Sequence, residues 1–596
     1  MDRIGLICRY MKENPHCTQR QLAQALDLSV GTINTLTKEC IVNRLVSAEK
    51  SCAGTYELTG KGDAYLEQFR VDGALIIAAG FGSRFVPLTF ETPKGLLEVF
   101  GERMIERQIR QLHEVGITNI TIAVGYLKEK FEYLIDKYQV KLLYNPEYSC
   151  KNTLTTIYRA REVLAGHNMY VLSSDNWLRS NMFHTCECGA WYSSSYMEGE
   201  TSEWVLSYNK KGRITNIGVG GAGAWVMYGP VYFSRTFSEQ FLPILGKYYA
   251  TPGTEQLYWE HVLMDHIGEL EMDINRQPAD QVYEFENLEE LRQFDTRYQN
   301  HSDNAAMELV SAVFGLPESH IQDIRCLKAG MTNKSFLFQV NGKHYICRIP
   351  GPGTELLINR HQEEEVYGII APLNLSEHVI YMDGQTGYKI AEYYEGARNS
   401  RSDDWSDVEK CMETLHRLHD SDLTVGHDFD IRERISFYER LCTSHGGTLF
   451  EDYETVREWM VELLDWLDGL GHAKKLSHID SVADNFLFLP DGSVRLIDWE
   501  YAGMCDPLID IAMCAIYSYY DEAATDRLID IYFKLFGRTA ASEERMTIYA
   551  YMALGGFLWS LWAVYKSAVG EEFGEYTLIM YRYAKRYYRK IKQSEL

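Results

Sequence analysis

The segment Ala74–Lys94, ALIIAAGFGSRFVPLTFETPK, decides the fold of the middle of the chain. Residues 75–77 form a short continuous apolar run, which is typical of a strand buried on both faces of a parallel sheet. The glycines of the following GFG sequence allow the backbone to approach a ligand closely. Arg84 and Lys94 add two cations to the same loop. We therefore predict a strand that leads into a phosphate-binding loop.

The chain has 596 residues, which is too many for one hydrophobic core and predicts about three to five domains. Hydrophobic residues make up 46% and charged residues 24%, and 14 prolines leave little room for long disordered tracts. We expect a chain that is folded throughout. The net charge of -25 argues against a protein whose whole surface coats nucleic acid or an anionic membrane.

The first residues, MDRIGLICRYMKEN, lack the apolar segment and cleavage site of a secretory signal, and no run approaches the roughly 18 apolar residues of a membrane span. These features predict a cytoplasmic protein without a membrane partner. The 13 cysteines follow no framework pattern, which favours reduced thiols. His184, Cys186 and Cys188 form one tight cluster, but without a second pair it favours ordinary thiols over a zinc site.

Residues 1–70 predict three short helices, a small hairpin and a closing helix, with Thr18 as the N-cap of the second helix. This arrangement resembles a winged helix-turn-helix, which would bind DNA or an effector, or would serve as a packing module. The segment contains nine Lys or Arg and eight Asp or Glu, and its recognition helix offers mainly Lys38. Because a DNA reader normally carries a basic stripe, the sequence favours an interaction or packing role.

Residues 71–300 alternate between apolar strand patterns and amphipathic helix patterns. This alternation predicts a Rossmann-like α/β domain with a mostly parallel sheet and helices on both faces. Ligands bind such sheets at the carboxyl ends of the strands. The glycine-rich loop and the sequence Ser174-Asp175-Asn176 both follow predicted strands, so we expect the chemistry at that edge of the sheet.

The sequences AAGFGSRFVPLTFETPK, GYLKEKFEYL, YNPEYSCKNTLTTIY and SSDNW make residues 71–300 similar to bacterial CTP:phosphocholine cytidylyltransferases. The resemblance implies that Arg84 and Lys94 contact phosphates and act in catalysis, and that Asp175 binds magnesium. It places a second metal carboxylate at Glu284 or Glu286 and leaves that choice open. The implied nucleotide-binding residues are Ala79, Gly80, Gly82 and Arg84, and the implied aromatic group around the trimethylammonium is Trp204, Tyr258 and Trp259. Each of these aromatic side chains, taken singly, is also typical of a core.

Residues 304–596 begin with two predicted strands that are joined by an Asn341-Gly342 turn and preceded by a loop able to cover phosphates. Helical patterns dominate the rest, interrupted by Asp480, Asn485 and Asp498 in the sequences HID, ADN and IDWEY. Phosphoryl transfer needs a carboxylate base, together with an amide and a second carboxylate that hold magnesium. The pattern therefore predicts a phosphotransferase site.

This region resembles choline kinases of the aminoglycoside-phosphotransferase and choline-kinase superfamily, which have a bilobal, protein-kinase-like fold. The resemblance makes Asp480 the catalytic base, and Asn485 and Asp498 the metal ligands. It gives Arg348 a phosphate contact and a carboxylate partner within residues 363–365, where three consecutive glutamates leave the choice open. The implied nucleotide-binding residues are Thr332, Asn333 and Arg348, and the implied choline group is Trp559, Trp562 and Tyr565, a spacing that a buried helix face would also produce. Asp506 and Asp510 are predicted to be structural.

Together these predictions describe an α/β multidomain chain with a winged helix-turn-helix at 1–70, a nucleotidyltransferase domain at 71–300 and a choline kinase-like domain at 304–596. The predicted activity comprises two magnesium-dependent steps, in which choline and ATP give phosphocholine, and phosphocholine and CTP give CDP-choline and pyrophosphate. The alternatives are the same steps on ethanolamine or another amino alcohol, or a DNA-binding regulator that senses choline metabolites. The sequence makes no prediction of the oligomeric state.

Overall fold

The computed structural model describes residues 2–48, 55–329, 333–351, 354 and 357–594. The chain divides into two compact units. The first contains Met1–Glu308 together with Pro317–Ser319 and Ile324–Cys326, and the second contains the remaining residues. The predicted α/β multidomain class is confirmed, and each unit is described by itself below.

The first unit begins with the predicted three helices, hairpin and closing helix. The helices are α1 (Arg3–Glu13), α2 (Gln19–Ala25), α3 (Val30–Val42) and α4 (Gly60–Leu66), and the strands are β1 (Cys17–Thr18), β2 (Val46–Ala48) and β3 (Thr55–Leu58) in the sheet order β1-β3-β2. Thr18 caps α2 as predicted, because its hydroxyl accepts the N–H of Gln21 while the Gln21 side chain bonds back to the Thr18 backbone. Ser29 and Thr59 cap α3 and α4 through their side chains.

Helix α1 of this small domain is held against the segment 184–188 of the same unit. Arg9 pairs with the buried Glu187 at 2.5 Å, and Glu187 also accepts a 2.8 Å hydrogen bond from the hydroxyl of Tyr170. Glu13 lies 2.8 Å from His184 Nδ1. These contacts fix the domain on the strand that carries Tyr170, so its first helix is occupied by an intramolecular interface.

The cluster of His184, Cys186 and Cys188 is part of this interface. Both thiols are buried, and Cys186 belongs to the same hydrophobic core as Ile7 and Cys40 of the small domain. Across the described ranges, 2–48 to 357–594 with their gaps, no group of three or more His, Cys, Asp or Glu side chains is arranged to hold a metal. Cys186 therefore packs as a buried thiol of this core.

The rest of the first unit is an α/β fold. Its strands are β4 (Gly73–Ala78), β5 (Glu98–Val99), β6 (Glu102–Arg103), β7 (Ile120–Val124), β8 (Lys141–Tyr144), β9 (Met169–Ser173), β10 (Asn176–Leu178), β11 (Trp191–Tyr208), β12 (Ile214–Phe233), β13 (Asp273–Arg276) and β14 (Val282–Glu284). Its helices are α5 (Met104–Glu114), α6 (Tyr133–Tyr138), α7 (Thr153–Arg159), α8 (Arg161–Leu164), α9 (Arg235–Tyr249), α10 (Trp259–Asp265) and α11 (Leu288–Phe294).

Seven of these strands form one sheet in the order β13-β11-β12-β9-β4-β7-β8. The pairs β9–β4, β4–β7, β7–β8 and β11–β13 are parallel, whereas β12 is antiparallel to both of its neighbours, so the mostly parallel sheet is confirmed. Leu75 packs into the core on one face of the sheet and Ile76 into the core on the other, as expected for a strand that is buried on both sides. The long β11–β12 hairpin was not predicted.

The division between the two units falls within helix α12 (Ala305–Phe314), after Glu308. An antiparallel sheet follows, and Ile324–Cys326 of its edge strand are counted with the first unit. The strands are β15 (Gln322–Ala329), β16 (Asn333–Val340), β17 (Lys343–Pro350), β18 (Val379–Met382) and β19 (Lys389–Glu392), in the order β15-β16-β17-β19-β18, with helix α13 (Arg360–Ile370) following β17. The turn between β16 and β17 is Asn341-Gly342, and both residues have positive φ, as a two-residue hairpin turn requires.

Helices dominate the remainder of the second unit, as predicted. They are α14 (Trp405–His419), α15 (Ile431–Ser444), α16 (Tyr453–Leu470), α17 (Leu508–Tyr517), α18 (Glu522–Lys534), α19 (Ser542–Ala568) and α20 (Glu575–Ser594), with short strands β20 (Arg398–Asn399), β21 (Lys475–Ser477), β22 (Phe486–Phe488), β23 (Val494–Leu496) and β24 (Gly503–Cys505). Helix α19 is, among the described helices, the one that is long and apolar enough to cross a membrane by length and composition. Since 89% of its apolar window is buried inside the protein, it has the character of a core helix.

Substituting Glu187→Gln should destabilise the first unit, because it leaves the largely buried guanidinium of Arg9 without its carboxylate. We expect a loss of about 3 kcal/mol in the free energy of unfolding, measured by urea titration of the full chain. Glu13→Gln removes a half-exposed carboxylate from the same interface and should cost less than about 1 kcal/mol. Equal effects of the two substitutions would contradict the assignment of Arg9 and Glu187 as the main contact.

Candidate active sites

A cavity of about 670 Å³ opens where strands β4 and β9 end. The structure brings every site residue that was predicted between 71 and 300 to its walls. They are Ala79, Gly80, Gly82, Arg84, Lys94, Asp175, Trp204, Tyr258, Trp259, Glu284 and Glu286. The cavity wall therefore combines a glycine-rich loop, several carboxylates and aromatic side chains.

The conformation of the glycine-rich loop and of the segment after it depends on two glycines, Gly82 and Gly95. Gly82 has a φ of 69°, in the left-handed region that favours glycine. A Cβ atom at Gly95 would lie 2.5 Å from the hydroxyl of Ser174, so this position also needs glycine. Lys94, directly before Gly95, is thereby held against the end of β9, and its Nζ atom lies 2.7 Å from Asp175 Oδ2.

The two carboxylates Asp175 and Glu284 meet because strands β10 and β14 pair with Asn176 opposite Glu284. The side-chain amide of Asn176 donates a 3.0 Å hydrogen bond to Glu284. Burial, together with the nearby charge of Asp175, raises the pKa of Glu284 to about 7. A divalent cation between two such oxygen ligands would relieve that repulsion, so these residues fit magnesium.

Glu286, the other candidate for the second metal carboxylate, has a different environment. It forms an ion pair with Arg84, and both side chains are largely exposed. Its backbone N–H donates a 2.8 Å hydrogen bond to Glu290. Of the two glutamates, Glu284 is therefore the one beside Asp175, whereas Glu286 holds the arginine of the glycine-rich loop.

The aromatic side of the cavity is formed by Trp204 and Tyr258, which both lie against the ring of His261, at 4.7 and 5.8 Å between centroids. Trp259 differs from them because it is 3% exposed and packs on Tyr192 in the core. All three predicted aromatic residues thus line the cavity, and Trp259 is the one whose ring is largely buried.

Glu260, which the sequence reasoning missed, lies beside this aromatic group on helix α10. Its Oε1 atom accepts a 3.2 Å hydrogen bond from Tyr192, while Oε2 is buried without a hydrogen-bond partner in the described part of the chain. Burial raises the pKa of Glu260 to about 7. A carboxylate next to aromatic rings is a suitable receptor for an organic cation. The signal in the sequence was an acidic residue directly after the pair Tyr258-Trp259.

The second site, in the other unit, is built around Asp480. Asn485 donates a 2.9 Å hydrogen bond to its Oδ2 atom, and the hydroxyl of Tyr517 is a further hydrogen-bond partner. Burial raises the pKa of Asp480 above its ordinary value. Asp510 accepts the backbone N–H groups of His478 and Ile479 at 2.9 and 2.6 Å, so it holds the loop in place, consistent with a structural role.

Arg348 of strand β17 joins this site to helix α13. It makes two hydrogen bonds to Glu363, at 2.6 and 2.8 Å, and lies 3.3 Å from Asp498. Burial opposes ionisation of Glu363, but the guanidinium of Arg348 lowers its pKa to about 2. The structure therefore selects Glu363 from the triple glutamate run. Glu364 and Glu365 instead accept the backbone N–H groups of Gly384 and Gly426.

A second arginine, Arg360, extends this network. It contacts Glu363 at 2.8 Å, Glu500 at 3.1 Å and the side-chain oxygen of Asn333 at 3.0 Å. Burial, with the charge of Asp498, raises the pKa of Glu500 to about 7.

The oxygen ligands of Asp498 and Asn485 suit magnesium in the same way as those of the first site. Thr332, a predicted nucleotide contact, lies outside the described residues.

Aromatic rings also gather near Asp480. Trp559 lies 5.6 Å from Tyr501, 5.9 Å from Tyr517 and 6.2 Å from Trp562. Tyr565, the third predicted ring, packs instead on the imidazole of His445 at 5.2 Å. The structure thus brings together Trp559 and Trp562 and adds Tyr501 and Tyr517, which the helical spacing of α19 could not reveal because they come from other segments.

Three family models match the chain. Residues 2–45 match Winged helix-turn-helix DNA-binding, residues 73–190 match Nucleotidyl transferase, and residues 323–549 match the Phosphotransferase enzyme family. The chain is therefore a fusion of a winged helix-turn-helix, a nucleotidyltransferase domain and a phosphotransferase domain. This confirms the predicted combination.

Relatives define the middle part more closely. The choline-phosphate cytidylyltransferase of Streptococcus pneumoniae is 35% identical over 229 residues, which are 38% of this chain and 99% of the relative. The 2-aminoethylphosphonate cytidylyltransferase of Lancefieldella rimae is 37% identical over 227 residues, 38% of this chain and 92% of the relative. Through this segment the chain belongs to the choline-phosphate cytidylyltransferase family.

The C-terminal part is similar to a solved structure, choline kinase LicA from Streptococcus pneumoniae. The sequence identity is 30%, and the match covers 48% of this chain and 97% of that structure, with a TM-score of 0.42.

Substituting Glu363→Gln should destabilise the second unit, because it leaves two buried guanidinium groups, those of Arg348 and Arg360, without their shared carboxylate. We expect a loss of about 3 to 5 kcal/mol, measured by urea unfolding of the full chain with tryptophan fluorescence. The neighbouring Glu364→Gln is the matched control and should cost less than about 1 kcal/mol, since Glu364 is 46% exposed. A larger effect at Glu364 would show that the structure selects the wrong glutamate.

Proposed function

We propose that the chain catalyses two consecutive reactions. The C-terminal unit phosphorylates choline with ATP, and the cytidylyltransferase domain of the first unit then transfers CMP from CTP to phosphocholine, which gives CDP-choline and pyrophosphate. The observation that carries this proposal is the presence of an aromatic group next to a carboxylate at both sites. A quaternary ammonium is bound by aromatic faces and a nearby negative charge, so both sites suit the same organic cation.

In the kinase step, Asp480 accepts the proton of the choline hydroxyl while the hydroxyl oxygen attacks the γ-phosphorus of ATP. The bond between that phosphorus and the β,γ-bridging oxygen breaks, and ADP leaves. The raised pKa of Asp480 makes it a stronger base than an ordinary carboxylate. Arg348, which Glu363 holds through two hydrogen bonds, is placed to contact the phosphates.

In the cytidylyltransferase step, a phosphate oxygen of phosphocholine attacks the α-phosphorus of CTP, and pyrophosphate leaves. Two anions must approach each other, so the main task of the protein is to supply positive charge and orientation. Lys94 lies at the end of β9 beside Asp175, where it can bridge the two phosphate groups. Arg84 is exposed on the glycine-rich loop, where it can contact the nucleotide phosphates once it leaves Glu286.

Magnesium is the metal that we assign to both reactions. Asp175 and Glu284 would hold it at the first site, and Asn485 and Asp498 at the second. When bound, it neutralises the charge that develops on the phosphate oxygens. We place both reactions in the cytoplasm, in keeping with cysteines that are all free in the described part of the chain.

The second candidate is the same pair of reactions on a primary amine, which the similarity to a 2-aminoethylphosphonate cytidylyltransferase favours. A primary ammonium would donate hydrogen bonds to Glu260, whereas a trimethylammonium cannot donate any. Competition between choline and ethanolamine in one assay distinguishes the two substrates. A regulatory role in DNA binding has less support, because the exposed part of helix α3 carries a single lysine, Lys38.

Substituting Asp480→Asn should lower phosphocholine formation by at least about 100-fold, because the variant loses the proton acceptor. The same variant should still convert added phosphocholine into CDP-choline. Asp175→Asn should have the opposite pattern, since it affects the other site. Product analysis by chromatography with choline or phosphocholine as the starting material checks both outcomes, and loss of both activities in either variant would contradict two separate sites.

The affinity for phosphocholine should depend on Glu260 and on pH. Since burial raises the pKa of this carboxyl to about 7, it is neutral at lower pH and charged at higher pH. We expect KM for phosphocholine to rise as the pH falls through 7, and Glu260→Gln to raise KM about tenfold at pH 8. The variant should weaken the pH dependence without abolishing it, because Glu284 in the same cavity also has a pKa of about 7. Glu255→Gln, at an exposed position, is the control and should behave like the unmodified protein. A variant at Glu260 that keeps the full pH dependence would rule out this role.

A further inference from the structure

The outer face of helix α20 forms a strongly basic groove in a chain whose net charge is -25. The groove has a volume of about 390 Å³. Its walls contain five cations, one carboxylate and one amide, which are Arg582, Lys585, Arg586, Arg589, Lys590, Glu522 and Gln593. We call this surface the α20 groove.

The cations of the α20 groove lie close to one another along the helix. Arg582 and Arg586 are four residues apart, as are Lys585 and Arg589, and like charges at this spacing repel each other. The attraction of a helix C-terminus for cations is confined to the last turn. Arg582, Lys585 and Arg586 precede that turn, so the helix dipole does not account for their clustering.

The acidic residues nearby balance only part of this charge. Lys585 pairs with Asp452 at 3.0 Å, and Lys590 pairs with Glu522 at 2.8 Å. Arg586 reaches the same glutamate only at 3.9 Å. For Arg582 and Arg589, no carboxylate of residues 357–594 lies within ion-pair distance. The groove therefore keeps a positive excess, carried by exposed guanidinium groups.

The opposite face of helix α20 packs into the core of the second unit. Tyr581, Ala584, Tyr587 and Ile591 are buried in the core of the second unit. The helix therefore has no free apolar face with which to enter a lipid bilayer, and a ligand of the α20 groove would be recognised by charge and hydrogen bonding.

We propose that the α20 groove is a binding site for a ligand with two or more phosphate groups, separate from both active sites. Guanidinium groups bind phosphate oxygens through paired hydrogen bonds, and Arg582 and Arg589 lie about 10 Å apart along the helix axis. That length exceeds a single phosphate group. The same chemistry is offered by a soluble polyphosphate and by a row of anionic lipid head groups, so the test treats these two sources separately.

The test compares the full-length protein with the triple variant R582Q/R586Q/R589Q. These exposed side chains line neither active site, so the triple variant should keep both the kinase activity and the cytidylyltransferase activity. A matched control, K410Q/R440Q/K534Q, removes the same charge from exposed positions on helices α14, α15 and α18. Calorimetric titration with tripolyphosphate gives the number of bound ions, and sedimentation with phosphatidylcholine vesicles, with or without phosphatidylglycerol, gives lipid binding.

We expect the unmodified protein and the control to bind one more tripolyphosphate than the triple variant, because the active sites can hold this ion in all three proteins. If the ligand is instead a lipid head group, binding to vesicles that contain phosphatidylglycerol should fall at least about tenfold in the triple variant alone. Either result supports a binding site in the α20 groove and shows whether its ligand is a soluble polyphosphate or a lipid head group. The proposal is overturned if the triple variant matches the unmodified protein in both measurements, or if the control loses as much binding as the triple variant.

Discussion

Both candidate sites depend on carboxylates that are held close together and are wholly or partly buried. Such groups repel each other and lose hydration, so each needs a fixed partner. At the first site the Lys94–Asp175 contact provides one, and burial beside Asp175 raises the pKa of Glu284. At the second site Arg348 and Arg360 hold Glu363 between them. This arrangement suits the divalent cation and the anionic substrates of the proposed reactions.

The same principle explains the position of the winged helix-turn-helix. Its core shares Cys186 with the cytidylyltransferase part, and Arg9 neutralises Glu187, which would otherwise be an unpaired buried charge. The domain is therefore built into the first unit by its first helix. Because Tyr170 on strand β9 bonds to the same glutamate, the interface also supports the strand that leads to Asp175.

Much of the fold and of the two sites could be predicted from the sequence, because these features follow from local sequence patterns. The strand at 75–77, the glycine-rich loop and the Asn341-Gly342 turn each follow from neighbouring residues. The choice of Glu363 and the buried environment of Glu260 could not be predicted in this way, since they depend on contacts between distant segments. The β11–β12 hairpin was missed for a different reason, which is that its glycine-rich second strand lacks a clear alternating pattern. The prediction of choline as the substrate came from the resemblance to known families, because the spacing of residues alone does not identify a substrate.

We propose that this one chain carries two consecutive reactions at two separate sites. Phosphorus NMR of the purified full-length protein with choline, ATP, CTP and magnesium tests it most directly. We predict that phosphocholine appears first and is then converted into CDP-choline, with ADP and pyrophosphate released in equal amounts by the end. Choline that stays unphosphorylated, or phosphocholine that accumulates while CTP remains unchanged, would contradict it.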